Sequence, residues 1–91
     1  MPLNTDPSIL RPGLPIQYWL DDATPAFAMV AKIRDNPSND FRPPLTLAFL
    51  NPISGAWINK VEVDPVIDDG LRLYRARRWC FIEDNVQPAL I

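Results

Sequence analysis

Histidine is missing altogether from this sequence, and that single absence removes a large part of enzyme chemistry. Without it a Ser-His-Asp or Cys-His arrangement cannot be assembled, and the commonest transition-metal ligand is gone. Cysteine occurs once, so no intrachain disulfide forms; Cys80, set between Trp79 and Phe81, reads as a small buried apolar side chain in a reducing compartment. Glycine occurs only 3 times, and no glycine-rich phosphate loop is present. No run approaches the ~18 consecutive apolar residues of a membrane-spanning helix, and the opening residues MPLNTDPSILRPG lack the basic start and apolar stretch of a signal peptide. The expectation is a soluble, cytoplasmic protein. Basic charge is also scarce: the net charge of −2 gives the molecule no overall positive field to draw it to nucleic acid, so any such binding has to be local.

What is abundant is proline, 11 among 91 residues, spread so evenly that it cuts the chain into short pieces and nearly excludes long helices. With 47% hydrophobic and 22% charged residues the composition is that of an ordinary globular domain, and the length allows one small core and no second fold.

The pieces read as strands. Pro25 to Arg34, PAFAMVAKIR, is the central one: Phe27, Met29, Ala31 and Ile33 form an apolar face, and Ala26, Ala28, Val30, Lys32 and Arg34 form a face that is small, then charged. Its alanines let a second layer or a neighbouring strand approach closely. Before it, LPIQYWL from Leu14 to Leu20 alternates as a first strand, with DDATP as the hairpin turn between. Met1 to Pro12 is expected to be a flexible or draped arm that Ile9 and Leu10 can anchor, and DNPSNDFRPP, residues 35 to 44, a loop. Leu45 to Asn51 reads as a third strand at least partly buried on both faces. Ala56 to Asp64 reads as a fourth, hairpin-linked to it, with Trp57, Asn59, Val61 and Val63 on one side and Trp57 in the core. Pro65 to Gly70 is a turn region. Residues 71–82 fit either period; the preferred reading is a short helical or irregular turn over Leu71 to Arg75, then a last strand from Arg77 to Ile82.

Together these predict a mainly β fold, a small five-stranded antiparallel SH3-like barrel with at most one short helical turn. Its domain spans residues 13–83, between an arm at 1–12 and a tail at 84–91. The order of pieces resembles a group of small bacterial and phage-encoded proteins of unknown function with a predicted SH3-like barrel. The resemblance rests on Pro12-Gly13 with Tyr18, Ala28-Met29-Val30, Leu47 to Phe49, Gly55, Val61 and the stretch Trp79-Cys80-Phe81-Ile82-Glu83. It covers residues 12–83; Phe81 and Ile82 stand where that group has Trp-Pro, and the group supplies no catalytic residues.

Two features are candidate sites. The first is a local concentration of arginine, Arg72, Arg75, Arg77 and Arg78, interleaved with Tyr74 and followed by Trp79. Arginine pairs bidentately with phosphate and stacks on bases, so the segment reads as a nucleic-acid contact, as a contact for an acidic protein, or as a plain solvated face neutralised by Asp68-Asp69 and Glu83-Asp84. The second is Trp19, which alternates with Pro15 and Gln17 and so is expected to be exposed as part of a peptide-binding or self-association surface. The acidic pairs at Asp21-Asp22, Asp68-Asp69 and Glu83-Asp84 read as solvated turns and strand ends. The expectation is therefore a non-enzymatic module, without cofactor or metal, that binds a protein partner or itself. A nucleic-acid-binding barrel is the alternative.

Overall fold

The computed structural model describes residues 3–33, 42–84 and 86. The loop expected at residues 35–44 lies outside the described residues apart from its last three, as do Met1, Pro2 and most of the tail. Among the described residues seven strands follow one another: β1 (Pro15–Trp19), β2 (Pro25–Ile33), β3 (Leu45–Leu50), β4 (Trp57–Val63), β5 (Ile67–Asp68), β6 (Leu73–Tyr74) and β7 (Trp79–Cys80). Short 3-10 turns at Pro7–Ile9 and Ile82–Asp84 flank them, one more helical turn than expected. β1 to β4 form an antiparallel meander, and β7 returns beside β1 to give a five-stranded antiparallel sheet of order β4-β3-β2-β1-β7. Among the described residues no helix is long and apolar enough to cross a membrane.

The hairpins sit where proline and turn residues place them. Asp21 accepts the Ala23 amide at 2.8 Å, and that bond, with the hydrogen bond from the Thr24 side chain, holds its carboxyl below the usual carboxylate range. Asn51 accepts the amides of Ile53 and Ser54, and Gly55 takes the positive φ of 74° that closes the β3–β4 turn. Residues 71–75 do not form a helical turn. Leu73 and Tyr74 pair with Asp68 and Ile67 in a small β-hairpin whose turn is built by Asp69, which accepts the amides of Leu71 and Arg72. An Asp-Asp-Gly turn outcompetes helix nucleation in a segment this short.

The core lies on one face of the sheet, formed by Ile16 and Tyr18 of β1, Ala26, Ala28 and Val30 of β2, Leu45, Leu47 and Phe49 of β3, and Trp79 and Phe81. So the small face of β2 is the buried one, and Phe27 and Met29 face outward. The reason is visible at the centre: the rings of Tyr18 and Phe49 stack at 4.5 Å although β2 runs between their strands. Only an alanine-bearing strand leaves room for two aromatics to meet above it.

The two faces exchange residues at a pair of bulges. In β2 the register shifts between Val30 and Lys32, and Ile33 turns inward onto the core instead of continuing the face of Phe27 and Met29. In β4, Glu62 adopts a φ of 54° and the register shifts opposite Leu45 to Leu47, so Val63 is buried while Trp57, Asn59 and Val61 face out. Trp57 is consequently 54% exposed and not a core residue.

Candidate functional site

The outer face of the sheet divides into a covered half and an open half. Over β1 and β7, Trp19 and Cys80 form a second cluster with Val66 and Val86, against which Leu3 and Leu73 pack. Trp19 is fully buried there, which corrects its expected exposure. It does lie on the outer face, but the β5–β6 hairpin and the residues after β7 fold over it. Its indole Nε1 lies 3.4 Å from the Cys80 Sγ, and burial pushes the thiol up to about 11. Cys80 is thereby an inert packing residue.

Over β2, β3 and β4 none of the described residues folds over the same face. Pairing puts Pro15, Met29, Ala48 and Asn59 in one row across the strands. One step along, Gln17 pairs with Phe27 and Leu50 with Trp57, and the Phe27 and Trp57 rings meet edge-on at 6.1 Å. Neither row holds a charged residue. Phe27 is 48% exposed and Val61 70% exposed, and a shallow pocket between Phe27, Pro25, Gln17 and Ile82 borders the patch. Isolated exposed apolar side chains are ordinary; a contiguous uncharged surface with a pair of aromatics at its centre is the usual composition of the middle of a protein interface.

The arginine segment is built differently from its expectation. Arg72 Nη2 pairs with Asp22 Oδ2 at 3.0 Å and lies over the Tyr74 ring. Arg75 lies over the Trp19 ring at 5.6 Å and donates to the Asp22 carbonyl, while Arg78 donates to the Pro65 carbonyl at 3.2 Å. Asp22 also accepts the Ala76 amide through Oδ1, so this one residue engages Arg72, Arg75 and Ala76 through its carboxylate and its carbonyl. Asp68 and Asp69 do not neutralise the arginines as the sequence suggested; their side chains accept backbone amides of their own turn. Arg77, at the tip with a φ of 59°, is exposed. Thus Arg72, Tyr74, Arg75 and Arg78 come together with Trp19, but as a brace that holds the β5–β6 hairpin over the sheet.

A second groove, of about 870 Å³, opens between the N-terminal residues and residues 64–67, with Arg42 in its wall. Arg42 is taken up by Asp84: the two make a bidentate pair at 2.6 and 3.0 Å, and Asp84 is fully buried. Asp84 further accepts the amides of Thr5 and Phe81, and Arg42 donates to the Thr5 carbonyl and stacks over Phe81. This is a structural lock between distant segments. Among the described residues no three His, Cys, Asp or Glu side chains converge as a metal site would require.

The open patch centred on Phe27 and Trp57 was missed by sequence periodicity because a bulge hides the reversal of face. The signal that could have found it is the lack of charge on one face of three successive strands. Compared with known proteins, the chain matches no family model, no curated protein and no solved structure.

Proposed function

We propose that this chain is a non-enzymatic small β-barrel that works as an interaction or assembly module, taking a protein partner or a second copy of itself on the open outer face of β2, β3 and β4. The observation that carries the reading is the uncharged Phe27–Leu50–Trp57 row, with its two rings in contact and about half exposed. Burying the exposed half of such rings against another apolar surface contributes on the order of 1 kcal/mol each. The barrel part of the reading is supported by the strand order, in which the last strand returns beside the first, and by a main core gathered on one face of the sheet. The aromatic anchors are Trp57 and Phe27 in place of Trp19.

The nucleic-acid reading loses its support from Arg72, Arg75 and Arg78, whose guanidinium groups already have intramolecular partners. Acrylamide quenching tests the interaction reading directly, because Trp19 and Trp79 are fully buried and Trp57 is not. Association through the outer face makes the quenchable fraction fall as protein or partner concentration rises. A quenchable fraction that stays constant at every concentration, while association is seen by another method, moves the interface elsewhere.

A further inference from the structure

The patch runs out to the free edge of the sheet, and the edge itself has a defined hydrogen-bonding phase. Asn51 donates to the Ala56 carbonyl at 2.9 Å, so by the alternation of an antiparallel ladder the Phe49/Ile58 and Leu47/Lys60 pairs are bonded as well. The other side of the sheet gives the same answer. Val30 donates to Leu14, which assigns Ala26, Ala28 and Val30 to β1, Phe27 and Met29 to β3, and leaves Leu47 and Phe49 for β4. The backbone N–H and C=O groups of Trp57, Asn59 and Val61 therefore point away from β3, to the side where the described residues place no further strand.

The usable length of that edge is set by the bulge. Glu62, at a φ of 54°, ends the straight run, which leaves Trp57 to Val61 with Asn59 at its midpoint. We propose that two copies of this chain associate by antiparallel pairing of β4 with β4, on a two-fold axis at Asn59. This rests on the interaction reading above and names its occupant.

The register is self-complementary. Asn59 meets the partner's Asn59 in the hydrogen-bonded phase, and an amide side chain carries both donor and acceptor for its own copy. On the outer face Trp57 lies against the partner's Val61, joining the two patches into one surface. On the inner face Ile58 lies against the partner's Lys60, whose methylene stem covers it while the ammonium stays in water. The two Lys60 side chains lie diagonally across the axis and repel, so added salt tightens the dimer, the opposite of phosphate-driven binding.

Asn59→Pro is the decisive variant, because the Asn59 N–H is not used by β3 and proline is tolerated where an edge-strand N–H faces outward. Sedimentation equilibrium of the wild-type chain is expected to show a dimer, and Asn59→Pro to raise its dissociation constant by roughly thirtyfold, the loss of two hydrogen bonds across the axis. Asn59→Ser keeps the dimer. Amide exchange gives an independent readout that needs no variant: the Trp57, Asn59 and Val61 amides become protected as concentration rises. A wild-type chain that stays monomeric, or a dimer in which those amides exchange freely, overturns the edge pairing. If Phe27→Ser abolishes association while those amides exchange freely in the wild type, the face reading stands and the edge pairing alone falls; if neither matters, both fall.

Discussion

Ala28 is the residue on which the centre of the sheet depends. It pairs with Ile16 on one side and Phe49 on the other, and has no exposed surface. The Tyr18–Phe49 stack above β2 exists because nothing larger than a methyl group rises there. Ala28→Leu is expected to destabilise the fold by about 1–3 kcal/mol through overpacking, read as a lower urea midpoint with an unchanged slope. Cys80 and Tyr18 set the alkaline limit. Burial raises the Cys80 thiol from 9.0 to about 11, and burial raises Tyr18 against a smaller opposing pull from Arg77. Both groups hold their protons in the folded chain after the unfolded chain has begun to lose them. The Cys80 contribution is therefore complete below about pH 9 and disappears as pH rises through about 11, while that of Tyr18 is complete below its ordinary value of 10.0 and is lost above it, as pH passes its raised one. Denaturation midpoints followed from pH 7.5 to 11 should fall over that window, and Cys80→Ala should flatten part of the fall. A thiol reagent is expected to react with Cys80 only after unfolding.

Among the elements, the Asp84 lock joins three segments that the strands alone leave separate: the residues around Thr5, the entry to β3 at Arg42, and the turn after β7. Asp84→Ala leaves Arg42 without its carboxylate and the Thr5 and Phe81 amides without an acceptor. Breaking a buried pair in this way costs about 3–5 kcal/mol, expected as a large fall in the denaturation midpoint and fast amide exchange at Thr5. The strands themselves were largely legible in the sequence. Prolines and turn residues bounded them, and alternation fixed β1, β2 and β3 to within a residue or so of their ends. Which face is buried was not legible. Glu62 takes a left-handed conformation with no glycine to announce it, so Val63 was grouped with Trp57 although the bulge places them on opposite faces. Trp19 was misplaced for a different reason. Its own strand gives it an outward position, and what buries it, Val66, Leu73 and Arg75, lies far along the chain. The same distance hid the partner of the arginines, because Asp22 precedes Arg72 by fifty residues.

For the whole molecule, the proposed association with protein rests on the balance of charge and apolar surface. Charged side chains gather at turns and at the β5–β6 brace, where Asp22, Asp68 and Asp69 are engaged with backbone or arginine. The open half of the sheet carries none in its two central rows. A surface of that kind binds by excluding water, so its affinity resists salt, whereas three of the four arginines that would have tracked a phosphate backbone are already held within the chain. The most direct test is sedimentation equilibrium of the wild-type chain and of Phe27→Ser/Trp57→Ser at low and high salt. The expected result is a wild-type association that salt does not weaken and that the double variant loses while remaining folded. Association that persists undiminished in the double variant, or that dissolves as salt is raised, would contradict it.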